Sequence, residues 1–139
     1  MKRLKYVSRS ALPLGSTAVG LIVAHAQERN QQLDVTGVLV TTGSLFYQVI
    51  EGPESAVDSL YARIASDPRH TDLLILGVEE NIHERFFADW SMQRIDLSTE
   101  ADERLEPLRE VLNLIVELRT RSQRLTHTLE RTLWQELNS

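Results

Sequence analysis

The 139-residue chain contains no cysteine. That absence excludes disulfides, thiolate metal sites and cysteine nucleophiles, and it fits a reducing compartment, so a cytoplasmic location is expected. No apolar run approaches the ~20 residues needed for a membrane-spanning helix, so no membrane partner is expected. The apolar stretch from Thr17 to Ala24 with its Ala24-His25-Ala26 end has the outline of a secretory signal. Arg9 and Pro13, however, interrupt the continuous apolar run that such a signal needs, and the stretch from Thr17 runs smoothly into polar Gln27-Glu28-Arg29-Asn30, as an amphipathic helix does. An excess of basic charge is also missing. The net charge of −5 speaks against a nucleic-acid partner, which calls for clustered Lys and Arg to neutralise phosphates. The four histidines (His25, His70, His83 and His127) form no HxxxH or HExxH pair, and the carboxylates lack EF-hand spacing, so no metal site is expected. There is no GxSxG, Walker loop or GxGxxG.

What is present reads as one domain with a helical extension. Arg3 to Ser8 alternates as a strand does, and Ser16 or Thr17 can cap a helix that ends at about Asn30. Val35 to Thr42 and Leu45 to Glu51 are β-rich runs on either side of Gly43-Ser44, the chemistry of a hairpin turn. Pro53 opens a second helix with Val57, Leu60, Tyr61 and Ile64 on one face, and Asp67-Pro68-Arg69 ends it. Asp72 to Glu79 is almost wholly apolar and reads as a strand buried on both faces. Phe86 to Ile95, which includes Trp90 and Met92, reads as a final strand.

The resulting order, β-α-β-β-α-β-β, predicts an α+β fold of ferredoxin-like type, with both helices on one face of the sheet. The expected division is a domain over 1–97 and a helical extension over 98–139. In that extension Val111, Ile115, Leu118, Ser122, Leu125 and Leu129 follow a 4-3-4-3-4 spacing, a heptad seam with one polar member. Such a stripe suits three roles: a cap on the open sheet face, a homodimer or larger homo-oligomer, and a connector to an effector.

Two polar residues stand out in apolar strands. Gln48 shares a face with Phe46 and Ile50, and Tyr6 shares one with Leu4 and Ser8. In a ferredoxin-like order the first and third strands are central neighbours, so the phenol and the amide can meet. A buried amide left unpaired costs roughly 1–3 kcal/mol, and a Tyr–Gln bond that does no more than satisfy both groups is one reading of the pair. At this level an enzyme on a ferredoxin-like sheet, a metabolite-binding module and a cofactor-binding sensor all remain open. A flat, apolar-walled cavity between the two helices would suit a planar cofactor.

Five segments narrow the choice: Arg3-Leu-Lys-Tyr-Val-Ser8, Asn30-Gln-Gln-Leu-Asp-Val-Thr-Gly37, Phe46-Tyr-Gln-Val-Ile-Glu-Gly52, Asp67-Pro-Arg-His70 and Asp89-Trp-Ser-Met-Gln93. Together, and in this order, they resemble the BLUF family of blue-light sensors that use flavin, over about Met1 to Leu97. The resemblance implies a photoreceptor, not an enzyme, with FAD between the two helices and FMN or riboflavin as possible occupants of purified protein. It implies that Tyr6 donates an electron and a proton to photoexcited flavin and that Gln48 relays between phenol and flavin. By the same resemblance Asn30 holds the ring, and Arg29, Asp67, Arg69 and His70 contribute to the cofactor site. Ile22, Phe46 and Ile64 supply apolar walls, and Trp90 and Met92 carry the signal. Position 29 holds Arg where several relatives carry Asn or His. Met1-Lys-Arg-Leu4, Asn30-Gln-Gln32, Arg69-His-Thr-Asp72, Trp90-Ser-Met-Gln93 and the Leu108-to-Leu129 helix also resemble the sensor half of bacterial photoactivated adenylyl cyclases. The implied output is therefore a cyclase domain absent from this chain or, for a stand-alone short BLUF protein, a separate partner.

Overall fold

A computed structural model describes residues 1–10, 16–42, 45–97 and 103–139. It divides into two compact units, Met1–Glu100 and Ala101–Ser139. The first contains β1 (Lys2–Ser10), α1 (Ser16–Leu33), β2 (Thr36–Thr42), β3 (Leu45–Gly52), α2 (Glu54–Ser66), β4 (His70–Glu79) and β5 (Gln93–Asp96). The second contains a short 3-10 turn, Glu103–Leu105, and α3 (Glu106–Leu137). The sheet order is β4-β1-β3-β2-β5, so β1 and β3 are central neighbours, as expected. All pairings are antiparallel except β2 with β5.

One apolar core joins a sheet face to both helices. Leu4, Tyr6, Leu39, Phe46 and Ile50 from the strands meet Val23 and Ala26 of α1 and Val57, Leu60 and Ile64 of α2. This is the expected ferredoxin-like arrangement, with period-2 strand residues and i, i+3, i+4 helix residues converging on the same layer. β3 and β2 approach so closely at Gly37 that a Cβ there would lie 2.1 Å from the Val49 carbonyl oxygen. The Gly43-Ser44 turn expected from sequence lies outside the described residues, although the register brings Thr42 opposite Leu45.

Three expectations need correction. Asn30 does not end α1, which continues to Leu33. Asp34 takes the left-handed conformation (φ 56°) and the Val35 N–H bonds back to the Asn30 carbonyl at 2.9 Å, a Schellman-type ending. Leu33 packs against the core, and that apolar gain carries the helix past asparagine's capping preference. β4 is not buried on both faces. It is an edge strand with Leu74, Ile75, Leu76 and Val78 between 39% and 45% exposed, and register shifts bulge it against β1. An apolar run looks the same at the centre or the edge of a sheet, because position is decided by topology.

The final strand is only Gln93–Asp96, not Phe86 to Ile95. Residues 81–92 have no ladder of their own. The Phe86 and Phe87 N–H groups donate instead to the Glu51 carboxylate at 3.2 and 2.5 Å, and the Trp90 carbonyl accepts from the Gly37 N–H at 2.9 Å. Fully buried Glu51 also receives Arg3 Nε at 2.9 Å. The Arg3 guanidinium lies 3.6 Å from the centre of the Phe86 ring and reaches Glu79 and the Glu84 carbonyl. The aromatic content of the segment suggested a strand, but a side-chain carboxylate satisfies the backbone that pairing would otherwise have satisfied.

Candidate functional site

The register of β1 on β3 sets Tyr6 directly opposite Gln48. Both are buried, and the Tyr6 hydroxyl donates to Gln48 Oε1. Gln48 Nε2 donates in turn to Met92 Sδ at 3.5 Å, a weak bond to a soft acceptor. Burial pushes the Tyr6 pKa well up against the opposing charge of Arg29, so the phenol is protonated throughout the neutral range. The edge of Tyr61 packs against its ring at a centroid distance of 5.9 Å.

Helix α1 grips the segment that carries Met92. Asn30 Nδ2 donates to the Ser91 carbonyl at 2.7 Å and Gln27 Nε2 to the Met92 carbonyl at 2.9 Å. Met92 itself is buried. Trp90 departs from expectation: it precedes β5, is 43% exposed, and stacks on Phe87 at 5.8 Å.

Between α1 and α2 lies a cleft of about 140 Å³ lined by Ile22, His25, Ala26, Arg29, Arg63, Ile64, Asp67, Arg69 and His70. Six of the residues singled out from sequence (Ile22, Arg29, Ile64, Asp67, Arg69 and His70) therefore share one cavity wall. Tyr6, Asn30, Phe46 and Gln48 belong to the buried layer of the same unit. Asp67 is bound by Arg69 through contacts of 2.6 to 3.1 Å, and these hydrogen bonds hold its pKa down at about 2. His70 Nδ1 lies 2.9 Å from Ser8 Oγ and its ring meets Phe46 at 5.4 Å. Burial lowers the His70 pKa, which favours the neutral ring.

Sequence reasoning missed His25, Ala26 and Arg63 in the cleft wall and Gln27 at the Met92 carbonyl. A signal for two of them was present: Ile22, His25, Ala26 and Arg29 follow i, i+3, i+4, i+7 spacing, one helical face. Among the described residues no cluster of His, Cys, Asp or Glu could hold a metal ion, and no helix is long and apolar enough to cross a membrane.

The profile of the family "BLUF: Sensors of blue-light using FAD" matches residues 1–93. The chain belongs to the BLUF family. This BLUF domain is 35% identical over 89 residues to the photoactivated adenylate cyclase subunit beta of Euglena longa, a match covering 64% of this chain and 10% of that protein. Its backbone is similar to a bacterial light-regulated adenylyl cyclase with a TM-score of 0.82 at 32% identity, covering 88% of this chain and 36% of that one. It is also similar to the dark-state structure of BlrB, a BLUF protein, with a TM-score of 0.72 at 37% identity, covering 81% and 83%. The chain thus spans about a tenth of the curated relative and most of BlrB. As a BLUF domain it is a flavin-dependent blue-light photosensor.

The residues of this BLUF domain fit a flavin. Asn30 Oδ1 and Arg29 Nε are buried without a hydrogen-bond partner, which native structures avoid unless something else supplies one. The cleft sets apolar Ile22, Ala26 and Ile64 beside arginines, as a ligand with a flat apolar body and an anionic tail requires.

Proposed function

We propose that this BLUF domain senses blue light through the Tyr6–Gln48 pair, with FAD as the cofactor and FMN or riboflavin as possible substitutes in purified protein. The observation that carries the proposal is the bonded line from the Tyr6 hydroxyl through Gln48 to Met92. Flavin, when bound, supplies the absorption of blue light and an electron acceptor. Tyr6 gives up one electron and its phenolic proton, which leaves along the bond to Gln48 Oε1, and takes both back when the cycle closes. Gln48 is the directional element. Rotation or tautomerisation of its amide conserves charge but changes which neighbours receive its donors and acceptor. A hydrogen bond is stronger in a dry interior than in water, so such a change shifts a two-state equilibrium.

Asn30 would hold the ring, with Ile22, Phe46 and Ile64 as apolar walls and Asp67, Arg69, His70 and Arg29 toward the remaining part of the cofactor. Reorientation of Gln48 breaks its bond to Met92 and loosens the 90–92 segment. That segment is tied to β2 through Gly37 and to α1 through Gln27 and Asn30, so its release reaches β5, the element next in sequence. Trp90 and Met92 are the signal-carrying residues in this scheme.

For output, the proposed boundaries are a sensor over 1–97 and an extension over 98–139 that pairs with a second copy. Val111, Leu118, Leu125 and Leu129 of the seam are each more than half exposed. The relatives named as photoactivated adenylate cyclases favour a cyclase domain as effector. A second reading, a stand-alone short photoreceptor that signals to a separate partner in the cytoplasm, is favoured by the likeness to BlrB, a BLUF protein, at 37% identity.

The test is a light-minus-dark absorption spectrum of wild-type protein and Gln48→Leu. Wild type is expected to show a small, reversible red shift of the flavin bands, and the variant to retain flavin without that shift. An unaltered shift in Gln48→Leu would remove Gln48 from the relay.

A further inference from the structure

The hydrogen bond to Gln48 fixes the oxygen of Tyr6 but not the plane of its ring. The phenolic oxygen lies on the axis about which the ring turns, so rotation about Cβ–Cγ leaves that oxygen in place. The torsion itself is a broad two-fold well and holds the plane only loosely. The plane matters because conjugation keeps the phenolic hydrogen within it, and turning the ring swings the O–H away from Gln48 Oε1. A phenol that passes its proton along that bond therefore needs a neighbour that holds its ring.

Helix α2 supplies one. Val57, Leu60 and Ile64 are its buried residues, and Tyr61 flanks their stripe, half-buried and packed against the core. The Tyr61 ring meets that of Tyr6 in a T-shaped contact, with centroids 5.9 Å apart and planes at 69°. This is a preferred geometry for two aromatic rings, because the positive edge of one meets the negative face of the other. Rotation of either ring breaks the contact. Among the described residues, those lining the cleft between α1 and α2 do not include Tyr61, so the contact acts on Tyr6 rather than on the cleft wall.

We infer that Tyr61 is a positioning residue for the light reaction: its ring clamps the plane of the Tyr6 phenol and keeps the O–H aimed at Gln48. The inference rests on the reading of Tyr6 as the donor and adds the element that keeps the donor aligned. The ring of Tyr61 performs the task, not its hydroxyl, because the contact is one of edge and face. Tyr61 itself gains and loses nothing. Tyr6 still gives up one electron and one proton and takes both back, as in the scheme above. Without the clamp, orientations appear in which the electron leaves Tyr6 while its proton has no acceptor in line. The charge then returns directly, and the absorbed photon produces no rearrangement of Gln48.

The experiment compares flavin-loaded wild type, Tyr61→Phe and Tyr61→Leu at matched flavin occupancy. Two quantities are read: the yield of the red-shifted state per absorbed photon, and the turning rate of the Tyr6 ring in the dark, by NMR of ring-labelled tyrosine. The chain has three tyrosines, and the signals of Tyr6 are those lost in Tyr6→Phe. Wild type and Tyr61→Phe are expected to share one yield and to show separate signals for the two sides of a slowly turning Tyr6 ring. Tyr61→Leu is expected to keep flavin, to merge those signals and to lower the yield by about threefold or more, the scale of an aromatic-pair contact. A rapidly turning Tyr6 ring in wild type would overturn the inference without recourse to any variant. So would a wild-type yield in Tyr61→Leu, or a lowered yield with an unchanged Tyr6 ring. An equal loss in Tyr61→Phe would assign the effect to the hydroxyl and overturn it as well. A full red shift in Tyr6→Phe would fell the donor reading and the inference with it, whereas the other contrary results fell only the clamp.

Discussion

At the residue scale, the domain uses buried polar groups for two separate purposes. Tyr6 and Gln48 face the helices, where each satisfies the other and the amide retains a choice of partners. Arg3 and Glu51 form the other group, a buried ion pair whose members are each satisfied more than once. The cross-strand register places Arg3 opposite both Glu51 and Glu79, so the pair follows from the sheet. The pair ties residues 84–87 to the sheet. Removing one member of a buried ion pair typically costs about 3–5 kcal/mol. Because Glu79 would still neutralise Arg3, Glu51→Ala is expected to lie near the lower end, lowering the unfolding free energy by about 3 kcal/mol. Urea denaturation checks this, and a loss under ~1 kcal/mol would mean that the Phe86 and Phe87 N–H groups find other acceptors without cost. Much of the Tyr6–Gln48 pair was legible in the sequence, because a polar residue on an apolar strand face marks itself. Glu51 was not, because it sits at the end of a strand where an acidic residue normally meets water.

At the element scale, the strands and helices of the core were legible from their periodicity, and the misreadings share one cause. α1 runs past Asn30, β4 is an edge, and residues 86–92 are not a strand. In each case local propensity pointed one way, and a distant partner, whether Leu33 on the core, the strand order or the Glu51 carboxylate, decided otherwise. The 81–92 segment depends on Gly37 for one of its ties, since the Trp90 carbonyl accepts from that N–H. Gly37 is also where β2 lies closest to the Val49 carbonyl. Gly37→Ala cannot be absorbed by a side-chain shift, because the obstacle is backbone. It is expected to destabilise the domain by about 1–3 kcal/mol and, by displacing β2, to speed hydrogen exchange at residues 90–93. Full wild-type stability in thermal denaturation would show that the two strands can separate freely.

At the scale of the whole molecule, the chain is a sensor unit followed by a helical unit, and the exposed leucines of α3 are the feature that a monomer leaves unexplained. Leu118→Glu puts a charge into the centre of the seam and is expected to lower the oligomer mass measured by light scattering, with the flavin spectrum unchanged. An unchanged mass would place the pairing surface elsewhere. The fold class followed from the order of strands and helices and the flavin from five short segments in order, whereas Arg63 joined the cleft wall only when α2 was set against α1. The central claim is that Tyr6 is the donor that starts the light response. The most direct measurement is the light-minus-dark absorption spectrum of Tyr6→Phe recorded beside wild type at equal flavin occupancy. Loss of one buried hydroxyl leaves the cleft intact, so flavin is retained and the reversible red shift is expected to vanish. A full red shift in Tyr6→Phe would contradict the account and move the photochemistry to another residue.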